Sequence, residues 1–170
     1  MSLIDKTYFT LDLHLPDDLQ YGDLTQYITR YEPEIIKKIF GYELAKQVIA
    51  YNPETTADPI KSLVEGAEYE DEDGHVQEWP GLVNSSKQSI IACYVYYWYL
   101  RAKVTKTTEI GEKRAAGENN VDAEYGIKQM AAWNKMLAMV ESMSAYIETV
   151  QELLEIYRPT GLGSVNAFDL

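Results

Sequence analysis

The chain is poor in the residues that carry most recognisable chemistry, with one cysteine, two histidines and 15 Lys+Arg against 27 Asp+Glu in 170 residues. A single thiol excludes an internal disulfide framework and a cysteine-rich metal site. Cys93 lies in the run Ile90-Ile91-Ala92-Cys93-Tyr94-Val95 and reads as a small buried hydrophobe. His14 and His75 fall in no H-E-x-x-H pattern and have no second His or Cys beside them, so no metal is expected. Gly161 and Gly163 complete neither G-x-G-x-x-G nor a Walker sequence, and no G-x-S-x-G elbow is present. Carboxylates are so common that a pair of them says nothing about acid-base catalysis. The expectation is a protein without enzymatic activity or cofactor.

The shortage of cations has its own consequences. A formal net charge of -12 opposes tight wrapping of a nucleic-acid backbone and adhesion to an anionic membrane, while helping to keep a free subunit soluble. Long hydrophobic runs are also lacking. Ile90 to Leu100 is an unbroken run of eleven apolar residues closed by Arg101 and Lys103, whereas a membrane span needs about 20. The opening Met1 to Lys6 has no basic patch followed by an apolar stretch, so synthesis in the cytoplasm is expected.

What the chain has is tyrosine, 14 against 3 Phe and 3 Trp, within an apolar fraction of 46%. A chain of this length buries about 70% of the surface its unfolded form exposes, enough for a single domain over residues 1–170 without staples. Phe9, Leu11, Leu13 and Leu15 alternate as one face of a short strand, with Pro16-Asp17-Asp18 as a turn. Asp23 is placed to cap a helix whose Leu24, Tyr27, Ile28 and Tyr31 share one face. Pro33 fits the first turn of a second helix, carrying Ile35, Ile36, Ile39 and Phe40 and ended by Gly41. A third runs from Tyr42 to about Tyr51, and Pro59 opens a short one through Ile60, Leu63 and Val64 to Gly66.

Residues 67–79 read as a β-hairpin with Asp73-Gly74 at its turn. Residues 65–78 hold the carboxylates Glu65, Glu68, Glu70, Asp71, Glu72, Asp73 and Glu78 with no Lys or Arg. The segment fails as a calcium loop: Gly74 at the sixth position puts Tyr69 at the first and Pro80 at the twelfth, where carboxylates are required. A solvated acidic loop is expected.

From Leu82 to about residue 104 the chain has no Gly or Pro and far exceeds a strand's length, so a helix apolar on all sides is expected at the centre of a bundle. Residues 105–120 carry no helical stripe and read as a long exposed loop. Loops of that length are usually functional or disordered, which makes Thr107, Thr108, Glu109, Ile110, Lys113, Arg114 and Asn119 partner-contacting candidates, with a merely flexible linker as the alternative. The longest helix is expected over about 121–157, with Ile127, Met130, Trp133, Leu137, Val140, Met143, Ile147, Val150, Leu154 and Tyr157 on one stripe. That stripe can reach past the core to serve a neighbour. Arg158-Pro159 ends it, and residues 158–170 read as a flexible tail. The fold expected is mainly α: a bundle around the 82–104 helix and the long C-terminal helix, with one small hairpin.

Several segments carry a resemblance: Leu3-Ile4-Asp5, Tyr31-Glu32-Pro33-Glu34, Ile39-Phe40-Gly41-Tyr42-Glu43-Leu44, Trp79-Pro80-Gly81-Leu82, Tyr94-Val95-Tyr96-Tyr97-Trp98-Tyr99-Leu100, and a Thr-rich loop before Ala132-Trp133-Asn134. In this order they resemble proteins of phages and prophages in Bacteroides-type bacteria and, more remotely, the helical head-tail connector, or head completion, proteins of tailed phages. The resemblance implies a structural subunit that assembles as a homo-oligomeric ring beneath the portal protein and offers a surface to tail-side adaptors. DNA passes through such a ring without tight binding, and no membrane is involved. The location implied is the bacterial host cytoplasm during assembly, then the virion. Leu162, Val165 and Phe168 in the tail join the contact candidates. A final helix of unusual length and the 67–79 hairpin depart from a typical small connector. A non-viral helical adaptor gripping one partner through its tyrosines is the alternative, and an enzyme with an unrecognised site a third.

Overall fold

The computed structural model describes residues 2–15, 24–108, 111–114 and 119–162, without the side chains of Leu11 and of residues 103–124. Pro16, Asp17, Asp18, Asp23, Glu109, Ile110, Val165 and Phe168, for which the sequence carries expectations, lie outside the described residues. The fold is mainly helical. In chain order it comprises α1 (Leu24–Phe40), α2 (Tyr42–Ile49), α3 (Ile60–Glu65), β1 (Ala67–Glu70), β2 (Val76–Trp79), α4 (Ile90–Val104), β3 (Thr105–Thr108), β4 (Gly111–Arg114), α5 (Asn119–Thr149) and α6 (Gln151–Leu154). Helix α4 packs between α1 and α5, and α2 folds back against α1.

An apolar run with no polar stripe is stable only when wrapped, and α4 is wrapped: from Ile90 to Leu100 every residue except the half-buried Trp98 is buried. Its aromatic rings form a seam with both neighbours. Tyr31 of α1 stacks on Trp98 at 5.5 Å with planes 5° apart, Tyr27 meets Tyr99 edge-on at 5.0 Å, and Trp133 of α5 lies 4.8 Å from Tyr97.

Several boundaries differ from the sequence expectation. Helix α4 begins at Ile90, not Leu82, because Asn84 folds the preceding residues into a turn: its Oδ1 accepts from Gln88 N at 3.0 Å and from Ser86 Oγ at 2.8 Å, and its Nδ2 donates to the Gln88 carbonyl. The Ser89 hydroxyl then accepts from Ile91 N at 3.2 Å, opening the helix. Pro33 does not start a second helix but sits inside α1. The buried positions Leu24, Ile28, Tyr31, Ile35, Ile36 and Ile39 continue through it on one face, so packing overrides the local cost of proline. The N-terminal alternation is not a strand. Two single 3₁₀ turns, Lys6–Tyr8 and Leu11–Leu13, still put Phe9, Leu13 and Leu15 into the core.

The C-terminal helix ends at Thr149 rather than running to 157. Val150 adopts an extended backbone (φ -115°, ψ 100°), and the single turn α6 that follows buries Leu153. On α5 the buried residues are Gln129, Ala132, Trp133, Met136, Met143, Tyr146 and Ile147, whereas Ile127, Met130 and, on α6, Leu154 are exposed. Residues 158–162, expected as the start of a flexible tail, are docked instead. Arg158 N donates to the Phe40 carbonyl at 3.2 Å and Thr160 N to the Lys38 carbonyl at 3.0 Å, which satisfies acceptors that α1 leaves open at its end. The approach requires glycine at 41, since a Cβ there would lie 2.2 Å from the Arg158 carbonyl oxygen and φ is +75°.

Candidate interaction surfaces

Tyrosine-rich helix surfaces need partners for their hydroxyls, and α4 finds them at its edges. The Tyr94 hydroxyl donates to Glu34 Oε1 at 2.7 Å and accepts from Lys38 Nζ at 2.9 Å, while Lys38 and Glu34 pair at 2.9 Å. Tyr96 donates to the His14 carbonyl, and Arg101 donates to the Tyr97 hydroxyl at 3.0 Å. Burial pushes the Tyr94 phenol up, and Lys38 opposes that only in part. At Glu34 burial raises the carboxyl, but the Tyr94 and Lys38 bonds outweigh it and hold it below its ordinary value. At Lys38 burial lowers the ammonium, but the same bonds leave it raised.

A raised Lys38 stabilises the fold below the unfolded lysine value and loses that contribution as pH climbs through the folded one. A depressed Glu34 stabilises above the unfolded glutamate value and loses it as pH falls through the folded one. Tyr94→Phe is expected to cost about 1 kcal/mol between about pH 4.3 and pH 10.4, and less outside that window. Thermal melts of the two proteins across pH check this. The network is satisfied and structural.

Cys93 is 1% exposed, and burial pushes its thiol up to about 12. Native protein is therefore expected to resist a thiol reagent at pH 8 and to react at the unfolded-peptide rate once denatured. A time course with Ellman's reagent, with and without urea, measures this.

The acidic hairpin is built by one of its own carboxylates. Asp71 Oδ1 accepts from Asp73 N at 3.1 Å and His75 N at 2.8 Å, and Oδ2 accepts from Gln77 Nε2 at 3.0 Å. The His75 backbone bond is the main cause holding this carboxyl below its ordinary range. Among the described residues no group of three or more His, Cys, Asp and Glu is arranged to hold a metal ion. Strand β1 pairs antiparallel with β2, Glu68 opposite Glu78 and Tyr69 opposite Gln77. The inner side packs on α5 through Tyr69 and Tyr146, 5.6 Å apart. Beside it Tyr69, Asp71, Glu72, Gln77 and Glu148 line a recess of about 320 Å³.

The segment 105–120, expected as an open loop, is largely a second antiparallel hairpin leading into α5. Thr105 lies opposite Arg114, Lys106 opposite Lys113, Thr107 opposite Glu112 and Thr108 opposite Gly111. The candidates Thr107, Thr108, Lys113 and Arg114 are thus brought together on neighbouring strands, and Asn119 begins α5. Leu162 is separate from them, half-buried against the main core. Sequence reasoning missed the pairing, although β-branched threonine at 105, 107 and 108 is the signal that favours it.

No helix among the described residues is long and apolar enough to cross a membrane. No family model, curated protein or solved structure matches the chain.

Proposed function

We propose that this chain is a structural virion subunit, a head-tail connector or adaptor that assembles as a ring beneath the portal of a tailed phage or prophage and receives a tail-side component. The observation that carries the reading is a hairpin held at one end of a firmly packed helix pair. Helix α4 is buried from Ile90 to Leu100 apart from the half-buried Trp98, β3–β4 leaves directly from its last residue, and α5 returns alongside it. This is a rigid mount for a contact element, and no convergent set of reactive groups competes with it among the described residues. The residues of the resemblance support it at the level of packing: Phe40, Trp79 and the Tyr94 to Leu100 run form the core. The net charge of -12 suits a passage that lets DNA slide without adhering. The role is non-catalytic, with DNA as a transient neighbour, and the protein resides in the host cytoplasm before joining the virion.

Coexpression with a tailed-phage portal protein, chosen from the chain's own gene neighbourhood, tests the reading. Copurification with portal is the expected outcome. A gene set in a metabolic operon, together with failure to bind portal or tail proteins, contradicts it.

A further inference from the structure

Residues 2–15 are held by the rest of the molecule as a peptide ligand would be. They bury Ile4, Tyr8, Phe9, Leu13 and Leu15 in the core, yet their regular structure is two single 3₁₀ turns. Among the described residues, the backbone groups of residues 2–14 bond to no backbone outside this arm. Its turns close on themselves, Tyr8 N donating to the Asp5 carbonyl and Leu13 N to the Thr10 carbonyl. What fixes the arm is a set of side-chain anchors, each joining it to a distant element. Glu32 of α1, 8% exposed, accepts from Ser2 Oγ at 2.7 Å, Leu3 N at 3.1 Å and Ile4 N at 3.3 Å. Asn84 N donates to the Tyr8 hydroxyl at 3.3 Å, and Lys87 Nζ lies 4.5 Å from the centre of the Tyr8 ring. Tyr96 of α4 donates to the His14 carbonyl, and Lys135 of α5 pairs with Asp12 at 2.9 Å.

The seam between arm and body is incompletely filled. A recess of about 420 Å³ opens between residues 2–7 and the first turns of α1, beside Thr25, Ile28 and Thr29. A water-sized space of about 20 Å³ lies by Thr10 and Leu13, against Cys93. Side chains lining such voids forfeit contacts on one side, so the arm is bound less tightly than a close-packed element. An empty seat would expose the core, so an arm must fill it. Which copy supplies that arm makes no difference to the anchors: each is a contact between arm and body, and an arm delivered by a second copy remakes them all. Residues 16–23 join Leu15 to α1, and a connection of that length spans up to about 30 Å, about twice the radius of gyration of a domain this size. It reaches the seat of a copy in contact.

We infer that the arm is exchanged between copies of this chain, residues 2–15 of one copy filling the seat formed by Glu32, Asn84, Tyr96 and Lys135 of the next. In a free molecule the connection holds the arm at an effective concentration on the order of millimolar, so dilute protein keeps its own arm. Copies packed side by side reach that concentration and pass their arms on. Exchange in one direction closes into a ring when the rotation per subunit divides a full turn. The inference rests on the connector reading only for the use of that ring; the arm and its seat stand on their own contacts.

Carbodiimide coupling of isotopically mixed protein tests it. Equal amounts of heavy-nitrogen-labelled and unlabelled chain are unfolded together, refolded, and treated with a water-soluble carbodiimide. The reagent activates the Asp12 carboxyl; Lys135 Nζ attacks it, forms an amide and expels the activated oxygen as the substituted urea. Mass spectrometry of the joined peptides reads whether Asp12 and Lys135 came from one isotopic form or from two. The Glu34–Lys38 pair, 2.9 Å apart within α1, is joined by the same reagent and measures random contact between copies. At about 10 μM single-form Asp12–Lys135 pairs are expected, and by about 1 mM two-form pairs should rise at least about tenfold, toward the half that random exchange of every arm gives. Asp12→Asn is expected to abolish the pair in both forms and to leave the Glu34–Lys38 signal unchanged.

A two-form fraction for Asp12–Lys135 no higher than that for Glu34–Lys38 at about 1 mM overturns the inference. Exchange without portal binding keeps it and removes the connector; portal binding by chains that keep their own arms does the reverse.

Discussion

Trp79→Ala is expected to lower the free energy of unfolding by about 4 kcal/mol or more. Trp79 ends β2, is fully buried, and donates its indole N–H to the Leu63 carbonyl at 2.8 Å. The ring therefore ties the acidic hairpin to α3 while filling the core between them. Truncation removes the contacts of a large aromatic, leaves a cavity, and strands a buried carbonyl that the end of α3 has already left without a helical partner. Trp79→Phe separates these effects: most of the apolar contact remains and the donor is lost, for an expected cost of about 1–3 kcal/mol. Equilibrium urea unfolding of both variants measures the two losses. Equal midpoints for Trp79→Ala and wild type would show that the hairpin is not anchored by this residue.

Gly81→Ala is expected to cost about 2–5 kcal/mol, although it adds only a methyl group. Gly81 has φ +86°, and a Cβ there would sit 2.5 Å from the Glu65 carbonyl carbon and 2.6 Å from Gly66 N. Both obstacles are backbone atoms, which no rotamer change removes. The closeness follows from how the chain leaves the hairpin: Val83 N donates to the Val64 carbonyl at 2.9 Å, drawing residues 81–83 against the end of α3. Alanine forces these segments apart and weakens the bond made by Trp79 on the same stretch. A Gly74→Ala control has nothing within 4 Å of its Cβ. It carries only the strain of its positive φ, so its midpoint should fall less than that of Gly81→Ala in the same urea titration.

These two sites show which parts of the fold were legible in the sequence. The central burial of α4 followed from an unbroken apolar run, because such a run has no solvent-facing side to offer. Its start was not legible, because Leu82 and Val83 extend the apolar pattern while the turn is made by one Asn84 side chain bonding to both sides of a short polar stretch. Pro33 misled for the opposite reason: a strong local rule predicted a break, but the buried stripe of α1 continues across it. The end of α5 at Thr149 has neither Gly nor Pro to mark it. There the gain is burial of Leu153 on a separate turn, a tertiary effect that no periodicity displays.

The candidate surface was half legible. Threonine, lysine and arginine at 105–114 marked a segment that the core did not require, and that much could be read from the absence of an apolar stripe. Strand pairing could not, because the segment lacks the apolar alternation by which half-buried strands are recognised. Register was invisible for the same reason, yet register is what sets Lys106 opposite Lys113 and Glu68 opposite Glu78 along the backbone. The exposed Ile127 and Met130 on α5, like Leu154 on α6, depart from the expected stripe. Ile127 lies in the third turn of α5 and Met130 in the fourth, nearer β3–β4 than β1–β2 along the helix.

The central proposal is assembly with a portal, and negative-stain imaging of the wild-type protein mixed with a tailed-phage portal ring, supported by mass measurement, tests it most directly. The account predicts closed rings of this chain seated on one end of the portal particle. Portal particles that remain bare while this chain stays monomeric in the same mixture would contradict it.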